Sequence, residues 1–144
     1  MFSAEPNRPK ATILVVDDSP AMVRYLRTML ELDCYEVESA SNGLEAVEKL
    51  RSGFDPELVL LDLQMPGMDG LQTLRSLLKL RPHLKVLMCS GVDDPRKMHR
   101  AVALGAKDYL TKPIHHLYLS AAVERCLNSN GQGSRTMTEA EVTV

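Results

Sequence analysis

Short runs of uninterrupted apolar residues, each followed by a longer amphipathic stretch, constrain this chain more than any other feature. Ile13–Val16, Leu58–Leu61 and Val86–Cys89 contain no polar side chain, a weaker run surrounds Val37, and Tyr109–Leu110 is a short one. A strand that is apolar throughout is covered on both faces, which is the condition of a parallel sheet between layers of helices. The intervening stretches repeat at three and four, as helices do: Met22, Tyr25, Leu26, Met29 and Leu30; Leu44, Val47 and Leu50; Leu71, Leu74, Leu77 and Leu78; Met98, Ala101 and Val102; Leu119, Ala122, Val123 and Cys126. Ser19-Pro20 and Asp94-Pro95 each place a capping residue before a proline at the first helical position, and Gly53 and Gly105 stand where helices should stop. Five strand–helix units joined by right-handed crossovers predict an α/β fold, a doubly wound five-stranded parallel sheet of flavodoxin-like order 2-1-3-4-5.

That order gives the acidic residues a meaning. Asp17 and Asp18 follow the first strand and Asp62 ends the third, and the two strands are neighbours in the predicted sheet. Three carboxylates then meet at the carboxyl edge, which costs free energy unless a cation or a proton neutralises them. Ser90 closes the fourth strand and Lys112 the fifth, so both reach the same edge. Clustered carboxylate oxygens suit a hard divalent cation such as Mg²⁺, which takes one or two carboxylates together with waters and phosphate oxygens. An ammonium and a hydroxyl beside it suit a phosphoryl group, and an aspartate can itself be the nucleophile that receives one.

Length and charge narrow the classes. With 144 residues the chain has room for one well-packed domain, expected over residues 11–127, with a flexible N-terminus at 1–10 and a disordered tail or linker at 128–144. Lys and Arg number 17 against 19 Asp and Glu, a net charge of −2 that gives no bulk attraction to nucleic acid or to an acidic membrane. No apolar run approaches the roughly 20 residues that span a bilayer, and Met1–Lys10 does not resemble a secretory signal. Cys34, Cys89 and Cys126 each lie in an apolar stretch and are expected to be reduced core residues of a cytoplasmic protein. His83, His99, His115 and His116 share no metal-ligand spacing, and Leu117 and Tyr118 fall off the apolar face of the last helix.

Asp17-Asp18, Asp62 within LLDLQMPGMDG, Ser90-Gly91 and Tyr109-Leu110-Thr111-Lys112-Pro113, in that order and each at a strand end, resemble the receiver domains of bacterial two-component response regulators, including single-domain chemotaxis regulators, over about Lys10 to Leu127. The resemblance implies a signalling switch rather than a metabolic enzyme, with intrinsic self-phosphorylation and autodephosphorylation chemistry. Asp62 would be the phosphoacceptor, supplied by a sensor histidine kinase or a histidine phosphotransfer protein. Asp18 would be a direct Mg²⁺ ligand, Asp17 a ligand mainly through water, and the Gln64 backbone carbonyl a further ligand. Lys112 would pair with the phosphoryl group, Ser90 would donate a hydrogen bond to it, and Tyr109 would turn inward as the aromatic switch. The Lys112–Pro113 bond is expected to be cis, and the surface of the fourth helix, fifth strand and fifth helix to meet a downstream protein or a missing output domain. The domain would be a monomer or a phosphorylation-dependent dimer, with no direct contact to nucleic acid or membrane. Ser90 stands where Thr is more frequent, Gly91 leaves the site open, and Gln64 and Val92 border it. Two other classes are weaker. A haloacid dehalogenase-type phosphohydrolase needs a second Asp two residues after its nucleophile, where this chain has Gln64. A phosphorylation-independent receiver-fold scaffold would be favoured by loss of an acidic residue or of Lys112, and all are present.

Overall fold

The computed structural model describes residues 8–65, 67–91 and 95–129. Five strands alternate with five helices: β1 Thr12–Val16, α1 Pro20–Leu32, β2 Glu36–Ala40, α2 Gly43–Arg51, β3 Leu58–Asp62, α3 Gly70–Leu80, β4 Lys85–Ser90, α4 Pro95–Leu104, β5 Asp108–Thr111 and α5 His116–Leu127. All strand pairs are parallel and the sheet order is β2-β1-β3-β4-β5, as the apolar runs predict.

Alternation of side chains along each strand builds two separate cores. Leu14, Val16, Val59, Leu61, Val86 and Met88 face α2, α3 and α4, where Ala46, Val47, Leu50, Leu71, Leu74, Leu77 and Ala101 cover them. Ile13, Val15, Leu58, Leu60, Leu87 and Cys89 face the other way, against Leu26 and Leu30 of α1 and Leu119, Ala122, Val123 and Cys126 of α5. Each fully buried Leu contributes roughly 1.5–3 kcal/mol of transfer free energy, and two covered faces explain why the strands carry no polar alternation.

Helix boundaries follow local chemistry. The Ser19 side chain accepts the Met22 N–H at 3.2 Å with Pro20 at the first helical position, as expected. Asn42 caps α2 and Asp69 caps α3 in a reciprocal box with Gln72. Gly53 and Gly105 follow α2 and α4 with φ of +104° and +126°, a region glycine enters without a Cβ penalty. Asp94, the expected cap of α4, lies outside the described residues, as do Val92 and residues 1–7 and 130–144 of the expected flexible ends.

Two expectations are corrected. Leu44 is exposed, because the buried face of α2 runs through Gly43, Ala46, Val47 and Leu50. Cys34 is exposed rather than part of the core, since it occupies the turn after α1 at φ 71° and the adjacent Tyr35 takes the buried position. Cys89 and Cys126 are buried as expected, and burial pushes both thiols up to about 12. Among the described residues no helix is long and apolar enough to cross a membrane.

Candidate functional site

The β1–α1 turn sets the first part of the site. Asp17 is buried and turns one carboxylate oxygen, Oδ1, back to accept the Ser19 N–H at 2.9 Å. Its other oxygen, Oδ2, lies 3.3 Å from Lys112 Nζ. Asp17 is therefore both the clasp of the turn and a member of the cluster, while Asp18 beside it is exposed.

Asp62 closes β3, next to β1 in the sheet. It is only 3 % exposed, and its Oδ1 accepts the Gln64 N–H at 3.1 Å. The backbone just beyond it is pressed against α3: a Cβ on Gly70 would stand 2.5 Å from Leu63 Cα and 2.7 Å from the Asp62 carbonyl oxygen. Only a residue without a side chain lets α3 start here, so the glycine of the MDG segment shapes the main chain that carries Asp62.

Carboxylate oxygens of Asp17, Asp18 and Asp62 all lie within 4.8 Å of one another. Burial raises the Asp62 carboxyl above its ordinary value; the Gln64 N–H opposes this, the charges of Asp17 and Asp18 add to the rise, and Lys112 opposes it. For Lys112, burial alone would lower the ammonium, but Asp62 and Asp17 outweigh it and hold the group above the usual lysine value. Lys112 Nζ lies 3.6 Å from Asp62 Oδ1. Among the described residues Lys112 thus faces Asp17 and Asp62, and the donor set of the three aspartates, all hard oxygen, fits a divalent ion such as Mg²⁺.

The far side of the site comes from β4 and β5. Ser90 is buried at the end of β4, paired in register with Thr111, and its carbonyl accepts the Lys112 N–H at 2.7 Å. Lys112 follows the last residue of β5, and its bond to Pro113 is cis, as expected. Adjacent strands stand about 4.8 Å apart, so a long side chain starting beyond β5 is needed to pass β4 and reach the ends of β3 and β1. A Cβ on Gly91 would meet Lys112 Cδ at 3.5 Å, so the lysine stem runs over a residue with no side chain.

Asp17, Asp18, Asp62 and Lys112 are therefore brought together, with Ser90 and the Gln64 main chain at the rim. Tyr109 lies on β5 and is 43 % exposed. Leu117 and Tyr118 are 76 % and 67 % exposed, as their helical phase predicts. Sequence periodicity missed three long-range bonds between the α1 and α5 regions. The Tyr25 hydroxyl donates to the Ile114 carbonyl at 2.6 Å, and Asp33 holds both His116 and the Ser120 hydroxyl.

Comparison with known proteins identifies the family and the fold. Residues 13–124 match the family described as response regulator receiver domain. The chain is 34% identical to the chemotaxis protein CheY of Halobacterium salinarum over 117 residues, 81% of this chain and 97% of that protein. It is also 34% identical to the transcriptional regulatory protein CpxR homolog of Haemophilus influenzae over 130 residues, 90% of this chain but 56% of that protein. Among solved structures, a response regulator receiver domain protein from Clostridium thermocellum superposes with a TM-score of 0.78 at 32% identity, covering 82% of this chain and 94% of that one. NtrX from Brucella abortus superposes with a TM-score of 0.77 at 32% identity, with 81% of this chain covering 27% of that one. The chain thus spans nearly all of some relatives and about half or less of others.

Proposed function

The chain belongs to the response regulator receiver domain family, and on that premise we propose that it is a phosphorylation-controlled switch whose phosphoacceptor is Asp62. The observation that carries this reading is the ammonium of Lys112, 3.3 Å from Asp17 and 3.6 Å from Asp62, facing a carboxylate cluster at the carboxyl edge of the sheet. A phosphoryl group on Asp62 would add charge that the acidic edge cannot hold alone, and Lys112 supplies the counter-charge.

In this reading a carboxylate oxygen of Asp62 attacks the phosphorus of a donor phosphohistidine. The phosphorus–nitrogen bond breaks, and the electron pair leaves with the imidazole. Hydrolysis later returns the carboxylate and inorganic phosphate. Lys112 pairs with the transferred oxygens and the Ser90 hydroxyl donates to them. Asp18, Asp62 and the Gln64 carbonyl would hold Mg²⁺ directly, with Asp17 acting through water; when bound, the ion neutralises the cluster and polarises the phosphoryl group. A histidine kinase or phosphotransfer protein is the donor class, and the cytoplasm is the compartment this implies. Tyr109, exposed here, turns inward in the phosphorylated state, and Leu117, Tyr118 and the neighbouring β5 surface meet the target.

The test is incubation with acetyl phosphate and Mg²⁺, read by intact mass. Wild-type protein should gain one phosphoryl group, and Asp62→Asn should gain none. A folded wild-type protein that gains no mass and shows no spectral response to beryllofluoride would instead be a receiver-fold scaffold.

A further inference from the structure

Lys112 is the one residue of the site whose usefulness depends on a long, flexible stem, and the chain segment that carries it has few internal anchors. Pro113 has no N–H to donate. His115, the residue before α5, makes no capping bond with its side chain. Before Lys112 the segment is pinned by the Lys112 N–H to the Ser90 carbonyl at 2.7 Å. After it, the pin comes from elsewhere in the fold: the Tyr25 hydroxyl of α1 donates to the Ile114 carbonyl at 2.6 Å.

We propose that Tyr25 is a positioning residue for Lys112, holding the β5–α5 connection so that the ammonium stays over Asp17 and Asp62. Three observations support this beyond the bond itself. Ile114 is buried in the core that α1 and α5 share, so its carbonyl is presented to α1 in one orientation. Asp33, at the end of α1, holds His116 at 3.1 Å and the Ser120 hydroxyl, fixing the first turn of α5 against the same helix. The Lys112 stem crosses Gly91, which offers no side chain to guide it. The direction of the ammonium is therefore set from both ends of the Lys112–Ile114 segment, and α1 supplies the second end.

The consequence is for anion binding. When Lys112 occupies its place only part of the time, the apparent affinity for a phosphoryl-like anion falls by that fraction. Tyr25→Phe removes the hydroxyl and keeps the ring, so it should weaken beryllofluoride binding roughly three- to ten-fold, the range of one hydrogen bond. Mg²⁺ affinity should not fall, because the ligand carboxylates follow β1 and β3 rather than β5. Tyr25→Phe should have no further effect on beryllofluoride binding in a Lys112→Ala background. A Tyr25 effect of equal size in that background, or unchanged beryllofluoride affinity in the single variant, overturns the proposal.

This inference rests on the phosphorylation reading, and a second measurement separates the two. In metal-free protein the side-chain NMR signals of Lys112 should be displaced from those of solvent lysines and should move toward them in Tyr25→Phe. If wild type binds no beryllofluoride while the Lys112 signals respond to Tyr25→Phe, the phosphorylation reading fails and the positioning role stands. Lys112 signals that ignore the substitution overturn the positioning role alone.

Discussion

Replacing Asp62 by Asn should stabilise the metal-free protein. Asn keeps the shape and keeps an oxygen to accept the Gln64 N–H at 3.1 Å, so the substitution removes charge and little else. Oxygens of Asp17, Asp18 and Asp62 lie within 4.8 Å of one another. At an effective dielectric of about 20, one like-charge pair at that separation repels by roughly 3 kcal/mol, and Asp62 faces two such partners. Lys112, 3.6 Å away, offsets about 4–5 kcal/mol of this on the same scale. The remainder, together with the cost of burying the charge, leaves a net gain on the order of 1–3 kcal/mol for Asn. The pH dependence has a defined sign. Asp62 is raised above its ordinary value of 3.8, so between that value and the folded-state value the folded protein binds more protons than the unfolded chain. Stability then falls as pH rises through this window, and the penalty is full above it. Urea unfolding in EDTA should show the Asn gain near neutral pH and its decline as pH approaches about 4. Mg²⁺ should close the gap if the proposed site holds it, because an ion bound by wild type stabilises it by mass action and the variant lacks the Asp62 carboxylate. A variant no more stable than wild type in EDTA, or a gain that does not change with pH, would refute the electrostatic account of the cluster.

Other substitutions separate the site from its support. Gly70→Ala places a Cβ against Leu63 Cα and the Asp62 carbonyl, and should cost roughly 1–3 kcal/mol in unfolding while weakening Mg²⁺ binding measured by calorimetry. Leu74→Ala empties a fully buried position beneath the sheet and should cost about 2–5 kcal/mol with Mg²⁺ affinity unchanged. Arg81 donates to the carbonyls of Leu50 and Phe54 and to Asp55. Its replacement by Ala should cost roughly 1–3 kcal/mol and speed amide exchange in the α2–β3 connection.

How much of this was legible in the sequence depends on the range of each interaction. The sheet order and the meeting of Asp17, Asp18, Asp62 and Lys112 follow from strand ends, because parallel strands share one carboxyl edge whatever their packing details. The buried faces of the helices were legible wherever apolar periodicity was strong. They failed at α2, where Gly43 and Ala46 occupy the core and leave the larger Leu44 outside: a size-weighted reading favours the wrong residue when the sheet surface allows close approach. Cys34 failed for a related reason, since a turn at positive φ reverses the phase that an apolar neighbourhood suggests.

Tyr25 marks the limit of such reading. Its spacing places it with the apolar residues of α1, which accounts for the ring and says nothing of the hydroxyl. The acceptor is a main-chain carbonyl 89 positions away, and a carbonyl carries no residue identity that a pattern could register. Tyr25 is 39 % exposed, so water could serve its hydroxyl, and nothing in the residue type demands a protein acceptor. The fold places α1 beside the start of α5, and there the hydroxyl meets the connection that carries Lys112. Only the topology brings this side chain to the reactive edge.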